Sequence, residues 1–349
     1  MTIKHKLREL SELGEFKLIE HLTANFQLRN KSSVKGIGDD AAVIRYGKKM
    51  LVLTTDLLIE GIHFNLVYTP LKHLGYKSVV AGISDIYAMN ARPEQITVSV
   101  AVSNKISVES LEEYYAGIKL ACERYQVDLV GGDTSSSMTG MIVSVTVLGT
   151  VIPEKLVYRS GAALNDLICV SGNLGAAYAG LQVLERERRI FQSDQMIQPD
   201  LKGYGYVLER QLKPEARKDV IEMLEEAGIL PTSMIDISDG LSSDLFHICK
   251  QSKVGCRIYM ERIPIAEETA KTARELNIEP VICALNGGED YELLFTVPLN
   301  KSEIIGSIPG ISVIGHITGA DWGKKMVMKD GSEIVLTAQG WNETDSKNQ

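Results

Sequence analysis

Short apolar runs of strand length alternate along this chain with stretches of helical spacing. Residues 50–54, 96–102, 142–148, 167–170 and 293–297 are strand-like, rich in Val, Ile and Leu. Between Val108 and Tyr125 the apolar Leu111, Tyr115, Ile118 and Cys122 recur three and four apart, which puts them on one helix face, and Glu112, Glu113 and Lys119 take the other. Strands interleaved with helices predict an α/β or α+β class. The β-rich run ends at Thr150-Val151-Ile152-Pro153 before Arg159-Ser160-Gly161 opens a new block, so two domains are expected, 1–152 and 153–349. Glu185-Arg186-Glu187-Arg188-Arg189 is expected to be an exposed helical turn of mixed charge, and Thr344 to Gln349 a frayed end.

Composition narrows the class. The 349 residues are 44% hydrophobic, enough to fill two cores. Acidic residues outnumber basic ones 45 to 37, and a net charge of -8 disfavours nonspecific attraction to a nucleic-acid backbone. The first residues, MTIKHKLRELSELGEF, lack the uninterrupted apolar core of a signal peptide, and no apolar run is long enough to span a bilayer, so a cytoplasmic protein with no membrane partner is expected. Cys122, Cys169, Cys249, Cys256 and Cys283 are scattered singly with no CxxC pair and read as reduced core thiols.

Six short segments set an acid beside glycine or another small residue: GIGDD (36–40), TTD (54–56), SD (84–85), GGDT (131–134), DISDG (236–240) and GGED (287–290). Singly, each is an ordinary turn. Converging, they would repel one another severely in a partly buried cleft unless cations or protons intervened, which points to divalent metal. Gly36-Ile37-Gly38-Asp39-Asp40-Ala41 fits the dinucleotide pattern GxGxxA, but Ser32 to Lys35 precede it, strand-like Ala41 to Ile44 follow, and its two carboxylates would repel a pyrophosphate. No GxxxxGK[ST] loop occurs, so ATP phosphates would have to be held through metal carboxylates.

GEF (14–16), GIGDDAAV, LTTDLLIEGIHF (53–64), SDIYAMNARP (84–93), GGDT, DISDGL and GGEDYEL (287–293), in this order, resemble the thiamine-monophosphate kinases, within the wider superfamily of aminoimidazole ribonucleotide synthetase. The resemblance runs from Gly14 to Trp341. It implies an N-terminal domain that forms a homodimer, a C-terminal α/β domain, and transfer of the ATP γ-phosphoryl group to thiamine monophosphate with several Mg2+ ions. By motif match it places metal at Asp40, Thr55 (through its oxygen), Asp56, Asp85, Asp133, Asp236 and Asp239, with Asp39 holding the loop instead. ATP is implied at Thr54, Gly132, Asp133, Arg159 and Ser238, and the thiamine substrate at His63, Glu289 and Trp341, where an aromatic face and a carboxylate suit a cationic thiazolium and an aminopyrimidine. No general base is assigned, because a phosphate acceptor with a second pKa of about 6 is already largely ionised. Asn90 stands where the family has glycine, and Leu164-Asn165-Asp166 replaces the usual PGD; both are expected to be turn variants, since Asn tolerates the left-handed conformation. Another ATP-dependent enzyme of the superfamily, or a noncatalytic nucleotide or metal module, would share the acidic segments.

Overall fold

The structure, a computed structural model, describes residues 19–20, 23–24, 28–193 and 198–338. GEF (14–16), Trp341 and the last residues lie outside them.

Period-two alternation builds a first sheet in the order β1-β2-β3-β6-β4-β5, from β1 (Ser33–Lys35), β2 (Ala42–Tyr46), β3 (Lys49–Ile59), β4 (Arg92–Val102), β5 (Asp128–Ser136) and β6 (Ile142–Val151). All its pairings are antiparallel except β4 with β5. Val52, Ile96, Val98, Val100, Val143, Val145 and Val147 point to one face and are buried under α1 (Leu71–Ala88) and α2 (Val108–Tyr125). Helix α2 has the bounds that the 3.6-residue spacing predicts, with Ser107 capping its N-terminus by accepting from Ser110 N.

The second sheet runs β13-β12-β9-β11-β7-β10-β8. Its strands are β7 (Leu167–Ser171), β8 (Ser233–Ile237), β9 (Gly255–Tyr259), β10 (Glu292–Val297), β11 (Ile311–Thr318), β12 (Lys324–Val327) and β13 (Glu333–Val335). Ile168, Val170, Ile235, Ile237 and Leu294 pack on one face with α6 (Leu241–Ser252) and α8 (Pro280–Asn286). Cys169, Met234, Leu293, Phe295 and Val297 pack on the other with α5 (Lys218–Glu226) and α9 (Ser302–Ser307). With both faces covered, SMIDI and ELLFTV are buried at every position and show no alternation of buried and exposed residues. Helices α3 (Ala176–Ser193), α4 (Gly205–Leu212) and α7 (Glu267–Glu275) pack together beside them.

Three acidic segments expected as loops are regular structure. TTD continues β3, SD ends α1, and GGDT lies inside the edge strand β5. The apolar signal ends at Thr54 because the inward positions of β3 turn polar there, at Thr54 and Asp56, while the strand carries on to Ile59. The charged turn at 185–189 is also less open than its composition suggests: Glu187 is buried, accepting from Arg186 and from Asp200 N. Asn90 (φ 54) and Asn165 (φ 69) both adopt the left-handed conformation expected of them.

Helix α1 is buried on nearly all sides, between the first sheet, α2 and β8. It meets α2 backbone to backbone: a Cβ on Gly75 would lie 1.9 Å from Tyr114 O, and one on Gly117 1.9 Å from Lys72 O. Gly117→Ala must therefore push the helices apart, and an overpacking cost of about 2 kcal/mol is expected in urea unfolding. Unchanged stability would show that the two helices are not held at this distance.

Candidate active site

The end of α1 is where the two sheets meet, and the acids meet there too. Asp40 from the loop between β1 and β2, Asp85 from the last turn of α1 and Asp236 from β8 each place a carboxylate oxygen within 4.8 Å of the others. Asp40 and Asp236 are buried and Asp85 is half-buried. Neighbours fix each side chain. Thr54 donates to Asp85 (2.5 Å), Ser84 donates to Asp236 (2.7 Å), and Arg159 grips Asp40 with Nε and a terminal nitrogen, both at 2.9 Å. Asp56 joins them from β3, and its Oδ2 is buried with no hydrogen-bond partner. Gly82 of α1 makes room for it, since a Cβ there would lie 3.0 Å from Asp56 Oδ2 and 2.6 Å from Val147 Cγ2.

Removing so many carboxylates from water raises their proton affinity. Burial lifts Asp56 to about 6. Burial, then Asp56, Asp236 and Asp40, hold Asp85 well above the usual range. Burial, followed by Asp40, lifts Asp236 to about 8. Asp244, in the first turn of α6, shares the effect through burial, Asp239 and Asp236. It accepts from Gly240 N and Asp239 N and so shapes the DISDG loop. Nothing in the sequence marked it beyond an acid in a helix's first turn.

Asp39 holds the loop, accepting from Arg159 N at 3.0 Å with Lys35 3.3 Å away. The GGEDY turn is pinned to the DISDG loop: Glu289 N donates to Ser238 O (2.8 Å) and Tyr291 N to Ile237 O (2.9 Å). Gly288 packs so closely that a Cβ would lie 2.1 Å from Ser238 O. Glu289 (φ 64) and Tyr291 (φ 51) are left-handed without being glycine, a conformation costing about 1 kcal/mol or more each. Between them Asp290 is wholly buried, caps the start of α3 through Gly175 N (2.6 Å) and Ala177 N (3.3 Å), and is lifted by burial to about 7.

Other residues singled out from the sequence lie apart from this cluster. Thr55 points to the opposite face of the first sheet, where Thr146 donates to its hydroxyl at 3.1 Å. The register sets Asp133 beside Ser99 and Ser144, on that same outward face and on the exposed edge strand. Gly132 lies so close to β4 that a Cβ would stand 1.9 Å from Val98 O. Ser238 is exposed and Asp239 half-buried in the loop after β8. His63 is exposed after β3, its Nδ1 accepting from Ile59 N at 3.1 Å, while Glu289 is paired with Lys77 of α1.

Comparison with known proteins fits this geometry. The family described as AIR synthase related protein, N-terminal domain, matches residues 38–151, and its C-terminal domain counterpart matches residues 166–324. A thiamine-monophosphate kinase of Buchnera aphidicola subsp. Schizaphis graminum is 34% identical, covering 95% of this chain and 99% of its own length. The chain belongs to the thiamine-monophosphate kinase family. The family's Bacillus subtilis member is 32% identical over 95% of this chain and 99% of its own. A solved structure of AaThiL complexed with AMPPCP and TMP superposes with a TM-score of 0.82 at 32% identity, covering 97% of this chain and all of that one. In this kinase family member the first matched region holds β2 to β6 and the second holds β7 to β11.

The donor set suits a hard divalent cation. It offers oxygen ligands only, one of them an unpartnered buried carboxylate oxygen, and a single guanidinium sits among four acids. Because burial raises these carboxyls, the metal-free folded form holds protons that the unfolded chain has released above pH 3.8. Their contribution to stability therefore declines as pH rises from there through about 6 to about 8. Metal-free protein is expected to show a Tm contribution that falls across this window and flattens in Asp236→Asn, and Mg2+ should raise Tm more at pH 8 than at pH 6. Equal Mg2+ shifts at both pH values would contradict a site built from these acids.

Proposed function

We propose that this chain transfers the γ-phosphoryl group of ATP to the phosphate of thiamine monophosphate, giving ADP and thiamine diphosphate. The observation that carries the reading is the convergence of Asp40, Asp85 and Asp236 within 4.8 Å, in a chain whose relatives carry this activity by name.

An oxygen of the acceptor phosphate attacks the γ-phosphorus as the bond to the β-phosphate oxygen breaks, and charge is conserved without removal of a proton. The acceptor's second pKa is about 6, so it arrives as a nucleophile and requires no strong base. The obstacle is repulsion between two anionic phosphates. Bound Mg2+ supplies charge neutralisation and alignment of the two groups. Asp40, Asp56, Asp85 and Asp236 are the residues that would hold it, with Asp239 at the loop edge. Thr54 orients Asp85, Ser84 orients Asp236, and Arg159 fixes Asp40. Ser238, on the exposed loop after β8, is assigned to the nucleotide. His63, Glu289 and Trp341 are assigned to the thiamine moiety, with Trp341 outside the described residues.

Thr55, Gly132 and Asp133 enter the proposal through a second copy. Among the described residues no helix covers the outward face of the first sheet, which displays Leu57 at 54% exposure and an edge strand exposed along its length. A homodimer seated on this face would bring the partner's surface to these residues. Residues 1–152 and 153–349 are taken as the dimer-forming and C-terminal domains, each organised around one sheet. No helix among the described residues is long and apolar enough to cross a membrane, and all five cysteines are free thiols, which supports a reducing cytoplasmic setting.

Purified protein given ATP, Mg2+ and thiamine monophosphate should form thiamine diphosphate stoichiometrically with ADP; ATP turnover driven only by another acceptor would refute the reading. Asp56→Asn should lower kcat by about 100-fold while thermal unfolding stays cooperative, and wild-type turnover in this variant would remove Asp56 from the metal site. For the assembly, Leu57→Asp is expected to convert a dimer to monomers in sedimentation, and an unchanged dimer would place the interface elsewhere.

A further inference from the structure

Lys77 lies on α1 and is 3% exposed, yet it plays no part in the acidic cluster. Its ammonium stands 2.9 Å from Glu289 Oε1 and donates to Gln211 O at 3.0 Å. The Gln211 amide, also buried, donates to Glu289 Oε2 at 2.9 Å. Each oxygen of the Glu289 carboxylate thus already holds one donor, from α1 on one side and the end of α4 on the other. The side chain of Glu289 keeps 27% of its surface exposed.

The helix supplies a ruler. Lys77 and Ser84 are seven residues apart and share the face of α1 turned to the second half of the chain, about 10 Å apart along the axis. Ser84 orients Asp236, and Lys77 orients Glu289. One rigid helix therefore fixes the spacing between the acidic cluster and the Glu289 carboxylate. That spacing is comparable to the length of a small heteroaromatic phosphate ester.

We propose that Lys77 is a positioning residue for the acceptor substrate, acting through Glu289, an inference that deepens the function proposed above and rests on it. Lys77 and Gln211 hold the carboxylate at a fixed place and angle on its left-handed backbone. Because Lys77 neutralises it, Glu289 meets the acceptor as a hydrogen-bond acceptor for an N–H of the amino-bearing ring. It does not act as a lone negative charge opposite the cationic ring.

The test is steady-state kinetics on the full chain with Lys77→Met and Gln211→Leu. In both, KM for thiamine monophosphate should rise, by about tenfold in Lys77→Met, the size of one lost charge-assisted hydrogen bond. KM for ATP should stay within about twofold, since the nucleotide end of the cleft is untouched. Gln211→Leu removes the second donor without altering α1, so it decides the matter if Lys77→Met does not fold. A thiamine monophosphate analogue carrying an oxo group in place of the pyrimidine amino group should be a poor substrate for wild type and discriminated less by Glu289→Gln. ATP and acceptor KM rising together, or acceptor KM unchanged in the folded variants, overturns the role of Lys77. Undiminished discrimination in Glu289→Gln overturns the neutral recognition. Absence of thiamine monophosphate turnover in wild type instead refutes the acceptor assignment on which the inference stands.

Discussion

The structure turns on the mutual repulsion of carboxylates gathered where water is scarce. Asp40, Asp56, Asp85 and Asp236 come from a loop, a strand, a helix end and a strand of the other sheet, and one guanidinium, that of Arg159, is set among them. Taken from water, such a group is unfavourable unless cations or protons balance it. The fold accommodates it residue by residue: Thr54, Ser84 and the paired nitrogens of Arg159 fix three of them, and Gly82 leaves the fourth its space. An arrangement costly to assemble when empty is one whose occupancy by a cation contributes to the stability of the whole.

Helix α1 carries that constraint through the molecule. It is buried on nearly all sides because it serves two sheets at once. The stripe of Lys77, Ala81, Ser84 and Ala88 is small or polar, which lets β8 approach and leaves polar reach for Asp236 and Glu289. The site cannot form from either half alone, since Asp236 belongs to the second sheet and the other three acids to the first half.

Much of this was legible in the residues. The bounds of α2, the strand cores, the left-handed Asn90 and Asn165 and the acidic character of the centre follow from spacing and residue type. What escaped reading has a physical cause in each case. Strand β3 passes through Thr54, Thr55 and Asp56 because its inward positions serve the site rather than the core, so the apolar signal ends before the strand does. GGDT is a strand because paired backbone, not side chains, holds it against β4. The partition of Thr55 and Asp133 to the face opposite Asp56 needs the register, which a motif does not contain. Lys77 and Gln211 were invisible since a lysine in an apolar helix has no local mark of its partner, which is more than two hundred residues away.

The same separation explains how one scaffold can divide its work. Phosphoryl transfer to a phosphate asks for neutralisation and alignment, and the acids proposed to meet this need sit at the end of α1. Choosing the acceptor asks for a different kind of group, a hydrogen-bonding carboxylate held rigidly at a distance from that charge. Placing it on the strained GGEDY turn keeps Glu289 from swinging toward the cluster, because its backbone is tied to Ser238 O and its side chain to Lys77 and Gln211. The left-handed turn and the buried lysine therefore serve one purpose, keeping the Glu289 carboxylate apart from the acids at the end of α1.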